Sequence, residues 1–211
     1  MTETFAVIDF ETNGDMPQNG GRPTEIAAVL VRDGIIVDRY QSLMNAGVYV
    51  PYFIEELTGI SNEMLRTAPP AAHVMAEVFD FVGNAKLVAH NASFDKIFWD
   101  DELARLHRSR NVEFACTVLL SRRVFPNVAN HKLGTLVRHF DLPTSGRAHR
   151  ALADAEVTAY LLLHLMAELK RMGQQLNLDV VSHDLLTKIQ RLPRTKLEQC
   201  LARYQSDRSA R

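Results

Sequence analysis

Four carboxylates stand where this chain should be building a core: Asp9 and Glu11 within FAVIDFE, Asp95 within LVAHNASFD, and Asp154 within HRALADAEVTAYLLLHL. A buried carboxylate without a partner is costly, so a set of them is tolerated best when they converge on cations that they neutralise together. Each also has an ordinary alternative. An inward Asp near a helix start can cap the helix or complement its dipole, and two acids at a strand end can form a simple polar pair. Phase separates these readings. Asp9 and Glu11 alternate with Ala6, Ile8 and Phe10 as on a central strand, so their side chains leave one face with Cα atoms about 6.6 Å apart. Asp154 precedes Val157, Thr158, Leu161 and Leu165, and Asp95 precedes Phe98, Trp99, Leu103 and Leu106. Both acids therefore lie on the apolar stripes of their helices. Acids facing inward from three elements point to one shared pocket. Oxygen-only ligation selects hard cations, and two Mg²⁺ or Mn²⁺ ions would balance the four charges.

The surrounding pattern predicts an α/β fold with a mixed sheet. Residues 25–32 and 35–43 read as strands joined through Asp33-Gly34, a strong hairpin signal. Short helical pieces follow over 51–60 and 61–66, then a helix over 71–82 between Pro69-Pro70 and Gly83. A buried strand is expected over 86–90, and a helix from an N-cap at Ser93 to about Arg108. A short last strand at 112–116, helices near 117–124 and 132–140, and a long helix over 151–172 complete the body. Glu55-Glu56 and Asp100-Asp101-Glu102 read as solvated helix faces. His149 lies five residues before Asp154, which on a continuous helix would separate them by about 140°. It reaches the same site only from the loop before that helix, where Gly146-Arg147-Ala148 supplies one. A neutral imidazole there could take a proton from water; a surface or capping histidine is the plain alternative. His90 and Asn91, at a strand end, are expected to line the pocket.

The formal net charge of −1 conceals an asymmetry. Residues 170–211 hold nine Lys/Arg against four Asp/Glu, a net of +5, which leaves −6 for residues 1–169. The expected division is thus an acidic domain over 1–172 and a basic helical tail over 173–211, the tail being either a solvated helix hairpin or a surface for phosphate backbone or a partner. Neither a signal peptide nor a membrane span is expected, because Glu3, Asp9 and Glu11 occupy the N-terminus and the longest apolar stretch, Val157–Ala167, contains His164. Cys116 and Cys200 lie far apart without metal-ligand spacing, consistent with free thiols and a cytoplasmic location.

The segments VIDFETNG, VAHNASFD and HRALADAE resemble the three motifs of the DEDDh group of 3′–5′ exonucleases, which have a ribonuclease H-like fold. Within that group the chain is most similar to the proofreading epsilon subunit of bacterial DNA polymerase III and its stand-alone relatives. The resemblance covers roughly residues 5–170 and includes PYFIEELTGIS. It implies Asp9, Glu11, Asp95 and Asp154 as ligands of two Mg²⁺ or Mn²⁺ ions, with Asp9 bridging them, and His149 as general base. It also implies release of 5′-nucleoside monophosphates from a single-stranded 3′ end, DNA favoured over RNA. Thr12, Asn13 and Met16 fall where the family binds the terminal nucleotide, although Asn13-Gly14-Asp15-Met16 departs from the usual Thr-Gly-Leu run. RNA 3′-end trimming enzymes share the five chemical residues, and a non-catalytic polymerase accessory scaffold is a further alternative. A polymerase or a sliding clamp would be the protein partner. Gln175-Leu176-Asn177-Leu178 partly resembles a clamp-binding peptide, with Asp179 in place of its aromatic anchor.

Overall fold

The central strand divides its side chains between two cores. In a computed structural model, which describes residues 3–174, 178 and 180–209, strand β1 (Phe5–Thr12) lies in the middle of a five-stranded sheet. It pairs antiparallel with β2 (Pro23–Arg32), which pairs antiparallel with β3 (Ile35–Leu43). On its other side come β4 (Lys86–Ala89) and β5 (Ala115–Cys116), both parallel, giving the order β3-β2-β1-β4-β5. The Asp33-Gly34 hairpin and the mixed sheet thus form as the sequence indicates. Ala6, Ile8 and Phe10 enter one core, shared with helices α3 (Ala71–Val82) and α4 (Ser93–Arg105). Phe5 and Val7 enter the other, which is covered by α7 (Ala151–Met172).

Asp9 and Glu11 continue the row begun by Phe5 and Val7, so the covered face becomes acidic at the strand's C-terminal end. Across from it, Val31, Val29, Ala27 and Glu25 make the same change from apolar to acidic on β2. Helix α7 approaches this face with Ala151, Ala155 and Ala159, all fully buried and spaced by four residues. Methyl side chains along that stripe let the helix axis come close to the sheet and bring its first turn over the acids.

Two short helices, α1 (Tyr52–Thr58) and α2 (Asn62–Thr67), close a small satellite core of Val50, Ile54, Ile60 and Leu65. Between β5 and α7 lie α5 (Thr117–Val124) and α6 (Leu133–Phe140). Helix α4 departs from expectation at both ends. Ser93 is its first helical residue rather than its N-cap; Ala92 holds that position without a side-chain cap, after Asn91 in the left-handed region. The helix stops at Arg105 because His107 also turns left-handed, and Arg108 N–H donates back to the Leu103 carbonyl.

The chain after α7 is not a solvated appendage. Helices α8 (His183–Ile189) and α9 (Leu197–Ser209) add Leu185, Leu186, Ile189, Leu197 and Leu201 to the core beneath α7. The His183 ring meets the Leu87 carbonyl. The buried Gln190 amide accepts from Cys116 N–H at 2.7 Å and donates to the Phe114 carbonyl at 3.1 Å. Of the clamp-like segment, only Leu178 is within the described residues. No helix among them is long and apolar enough to cross a membrane. Gln190→Ala should lower stability by about 1–3 kcal/mol, since two backbone groups lose their buried partner. Urea denaturation measures this, and a midpoint equal to that of the parent would refute a bracing role for α8.

Candidate active site

Three elements deliver four carboxylates to one end of the sheet. Asp9 and Glu11 come from β1. Asp95, in the first turn of α4, accepts Phe10 N–H at 3.2 Å and is thereby fastened to the strand between them. Asp154, in the first turn of α7, accepts His149 N–H at 3.0 Å. His149 stands in the loop before α7, as its spacing requires, with a left-handed backbone (φ 60°) that a non-glycine residue adopts only under local constraint. Ligand atoms of Glu11, His149 and Asp154 lie within 4.8 Å of one another. The imidazole is exposed at the mouth of the site, whereas Asp95 is buried.

These acids differ from the other buried acids in what faces them. Glu25, 0% exposed, receives Arg150 through both carboxylate oxygens at 2.7 and 3.1 Å. Glu102, 2% exposed, is paired with Arg22, and Glu156 with Arg39 and Ser145. Among the described residues, no Lys or Arg forms an ion pair with Asp9, Glu11, Asp95 or Asp154. Their proton affinities follow. Burial raises Asp9 well above the usual carboxylate range, reinforced in turn by Asp95, Glu11, Asp154 and Glu25. Burial, then Asp154, Glu25 and Asp95, push Glu11 up to about 8 against the weaker pull of Arg150. Asp95 rises to about 7 through burial, held back by backbone N–H groups, and burial also raises Asp154. Glu156 moves the opposite way: burial works against it, yet Ser145 and Arg39 take it below the usual range. Uncompensated, oxygen-rich and accompanied by one imidazole, the four-acid group fits hard divalent cations.

Glu25 is the residue that motif reading missed. It sits opposite Glu11 in the strand register and also accepts from Ala151 N–H at 2.9 Å and Gln41 at 2.7 Å. One carboxylate therefore ties β2 to Arg150 and Ala151, the junction between His149 and the helix bearing Asp154. Its signal was present: an acid inside the apolar run PTEIAAVLV obeys the same logic as Asp9. Glu102 needs correction, since it is no solvated face: it anchors Arg22 and so the loop after β1.

The other expected site positions have local roles in this structure. Thr12 Oγ1 accepts Gly14 N–H at 3.1 Å, and Asn13 Oδ1 accepts Arg22 N–H at 3.0 Å, so both side chains shape the loop leaving β1. Met16 is half-buried against the α3–α4 core. His90 Nδ1 is 2.9 Å from Thr117 Oγ1, and burial lowers its pKa to about 4, leaving a neutral ring. Asn91 is exposed and borders a separate cleft with Ser93, Lys96 and Arg122. Neither His90 nor Asn91 is hydrogen-bonded to any of the four acids among the described contacts.

Known proteins are similar to this chain in sequence and in fold. Residues 6–162 match the family model described as Exonuclease. The chain is 39% identical over 171 residues to the 3′-5′ exonuclease DinG of Bacillus subtilis (strain 168), covering 81% of this chain but 18% of that protein, so it spans under a fifth of this relative's length. It is 34% identical over 169 residues to the DNA polymerase III subunit epsilon of Aquifex aeolicus (strain VF5), covering 79% and 82% of the two chains. Among solved structures, exonuclease X in complex with 5′ overhanging duplex DNA matches with a TM-score of 0.67 at 26% identity, over 88% of this chain and 99% of that one.

Two outcomes follow from the electrostatics. The raised carboxyls bind more protons in the folded than in the unfolded chain between about pH 4 and 8, so metal-free protein should lose stability as pH rises across that window. Thermal melts in chelator should show the decline, and Mn²⁺ should reverse it most at the alkaline end, where protons compete least. A melting temperature independent of pH and Mn²⁺ would remove the cation site. Glu25→Gln should cost about 1–3 kcal/mol in denaturation and weaken Mn²⁺ binding measured calorimetrically, because the His149–Asp154 junction loses its anchor.

Proposed function

The chain belongs to the exonuclease family, and from that footing we propose that it is a divalent-metal-dependent 3′–5′ exonuclease. It removes 5′-nucleoside monophosphates from single-stranded or frayed DNA, in proofreading or repair. The observation that carries this reading is the group of four carboxylates to which no Lys or Arg is ion-paired among the described residues, with one exposed imidazole at its mouth. DNA is favoured over RNA because relatives such as the DNA polymerase III subunit epsilon and the PolC-type DNA polymerase III carry DNA in their names. The chemistry is assigned to residues 1–172, on which the helices α8 and α9 of the basic stretch that follows are packed; a polymerase or sliding clamp is the expected protein partner, and the cytoplasm the expected location.

Asp9, Glu11, Asp95 and Asp154 are the residues that would hold two Mg²⁺ or Mn²⁺ ions. Bound there, the ions supply positive charge to the phosphate and to the oxygens that gain and lose bonds to it. His149 Nε2 or Nδ1 accepts the proton of the attacking water, while its own N–H to Asp154 fixes the loop that presents it. Water oxygen bonds to phosphorus as the bond to the 3′ oxygen breaks; that oxygen takes a proton from solvent water, so the shortened strand leaves with a 3′ hydroxyl, and His149 returns its proton to solvent. Thr12 and Asn13 shape the loop beside the departing nucleotide, and Met16 is the apolar side chain that this loop offers to its base; His90 and Asn91 are assigned to the substrate side at one remove, since His90 is held by Thr117 and Asn91 opens onto a neighbouring cleft.

Incubation with 5′-labelled DNA and RNA of one sequence, with Mg²⁺ or chelator, tests the assignment. Metal-dependent shortening from the 3′ end is expected, stronger on DNA; preference for RNA would transfer the chain to 3′-end trimming. Asp154→Ala should abolish shortening with the fold retained, since a buried charge is removed. His149→Ala should slow turnover by roughly 10²–10⁴-fold while single-strand binding persists. Near-parental rates in either variant would contradict the role given to that residue.

A further inference from the structure

Helix α1 carries its largest apolar side chains on the wrong side for a soluble fold. It buries Ile54 and Thr58, yet Tyr49, Tyr52 and Phe53 are 73%, 69% and 65% exposed, and Leu57 joins them from the next turn. Phe53 and Leu57 lie four apart on the helix and form a stripe beside Tyr52, while Tyr49 stands in the non-helical segment just before the Pro51 N-cap. Contiguous exposed aromatic surface marks a binding face rather than packing. The stripe stands on a rigid base. Asn62 bonds Val50 through both N–H and carbonyl, and Glu55 turns inward onto Asn62, which leaves Glu56 as the charged side chain among the exposed ones.

The face is continuous with the candidate active site. Ile54 packs where a Cβ on Gly14 would stand 3.0 Å away, just beyond Thr12. Arg147, from the His149 loop, donates to the carbonyls of Glu56 and Leu57 at 2.7 and 3.2 Å. Helix α1 is thus fastened to both loops that flank the carboxylates. Charge decides what such a face can bind. Residues 1–169 carry a net −6, so beyond the cation site phosphate attraction offers a nucleic acid little, whereas base stacking needs no charge and tolerates any sequence.

We propose that Tyr49, Tyr52, Phe53 and Leu57 form a stacking platform for the bases of the single strand upstream of the nucleotide being removed. The proposal rests on the exonuclease reading, and its test separates the two. Two substrates are compared: oligothymidylate of about twelve nucleotides, within the span one such groove engages, and the p-nitrophenyl ester of thymidine 5′-monophosphate, which has no upstream bases. Tyr52→Ser/Phe53→Ser should raise KM for the oligonucleotide by about tenfold or more relative to the ester, with kcat retained and the salt dependence of KM unaltered. Tyr52→Phe/Phe53→Tyr should restore it. Thermal melts confirm that the exposed substitutions leave the fold intact. An unchanged oligonucleotide KM overturns the platform and gives the stripe to a protein partner; equal losses on both substrates overturn it in favour of a role in shaping the cleft. If the parent protein hydrolyses neither substrate, the exonuclease reading fails. Anisotropy of the labelled oligonucleotide then judges the platform alone: binding lost in the double variant supports it, and no binding by the parent overturns it.

Discussion

Mutual repulsion among Asp9, Glu11, Asp95 and Asp154 governs the architecture around it. Each of the other three raises the proton affinity of Asp9, and among the described residues no Lys or Arg forms an ion pair with the group. Such a cluster persists only where the surrounding framework is stiff enough to hold like charges together. The central position of β1, the alanine stripe of α7 and the bond from Phe10 N–H to Asp95 are parts of that framework. They set the acids in place before any cation arrives, so binding energy is not consumed in assembling the site.

Around the group lies a second set of acids with the opposite design. Glu25, Glu102 and Glu156 are each matched to an arginine distant in sequence, and each match ties an element that carries the first set to a neighbouring element or loop. Glu25 links β2 to the start of α7; Glu102 links α4 to the loop after β1; Glu156 links α7 to β3 and, through Ser145, to the loop before α7. Carboxylates thus serve two purposes in one small region. The ones with guanidinium partners fix geometry, and the ones without leave charge available to a ligand.

Much of this was legible in the sequence because it is periodic. Strand alternation set the face of Asp9 and Glu11, and helical phase set the inward direction of Asp95 and Asp154. The angle between positions 149 and 154 placed His149 in a loop. What escaped depended on partners far along the chain. Glu102 reads as one acid of a solvated run until Arg22, 80 residues away, folds against it. Likewise the tail's basic character hid the apolar face of α8, since charge counts ignore which side a leucine takes. Ser93 failed as a cap because Asn91 and Ala92 had already turned the chain into the helix, a backbone event that residue preference does not specify.

The contact between Gln190 and β5 bears on how copies of this protein coexist. Strand β5 is two residues long and ends the sheet, so its outer N–H and carbonyl groups would otherwise invite another strand. Gln190 meets this edge with a side-chain amide, offering an acceptor to Cys116 in the strand and a donor to Phe114 just before it, as a neighbouring backbone would. A side chain cannot propagate a ladder. By ending the sheet with an imitation of its next strand, α8 shields the protein from edge-to-edge aggregation, and truncation upstream of it would remove that shield.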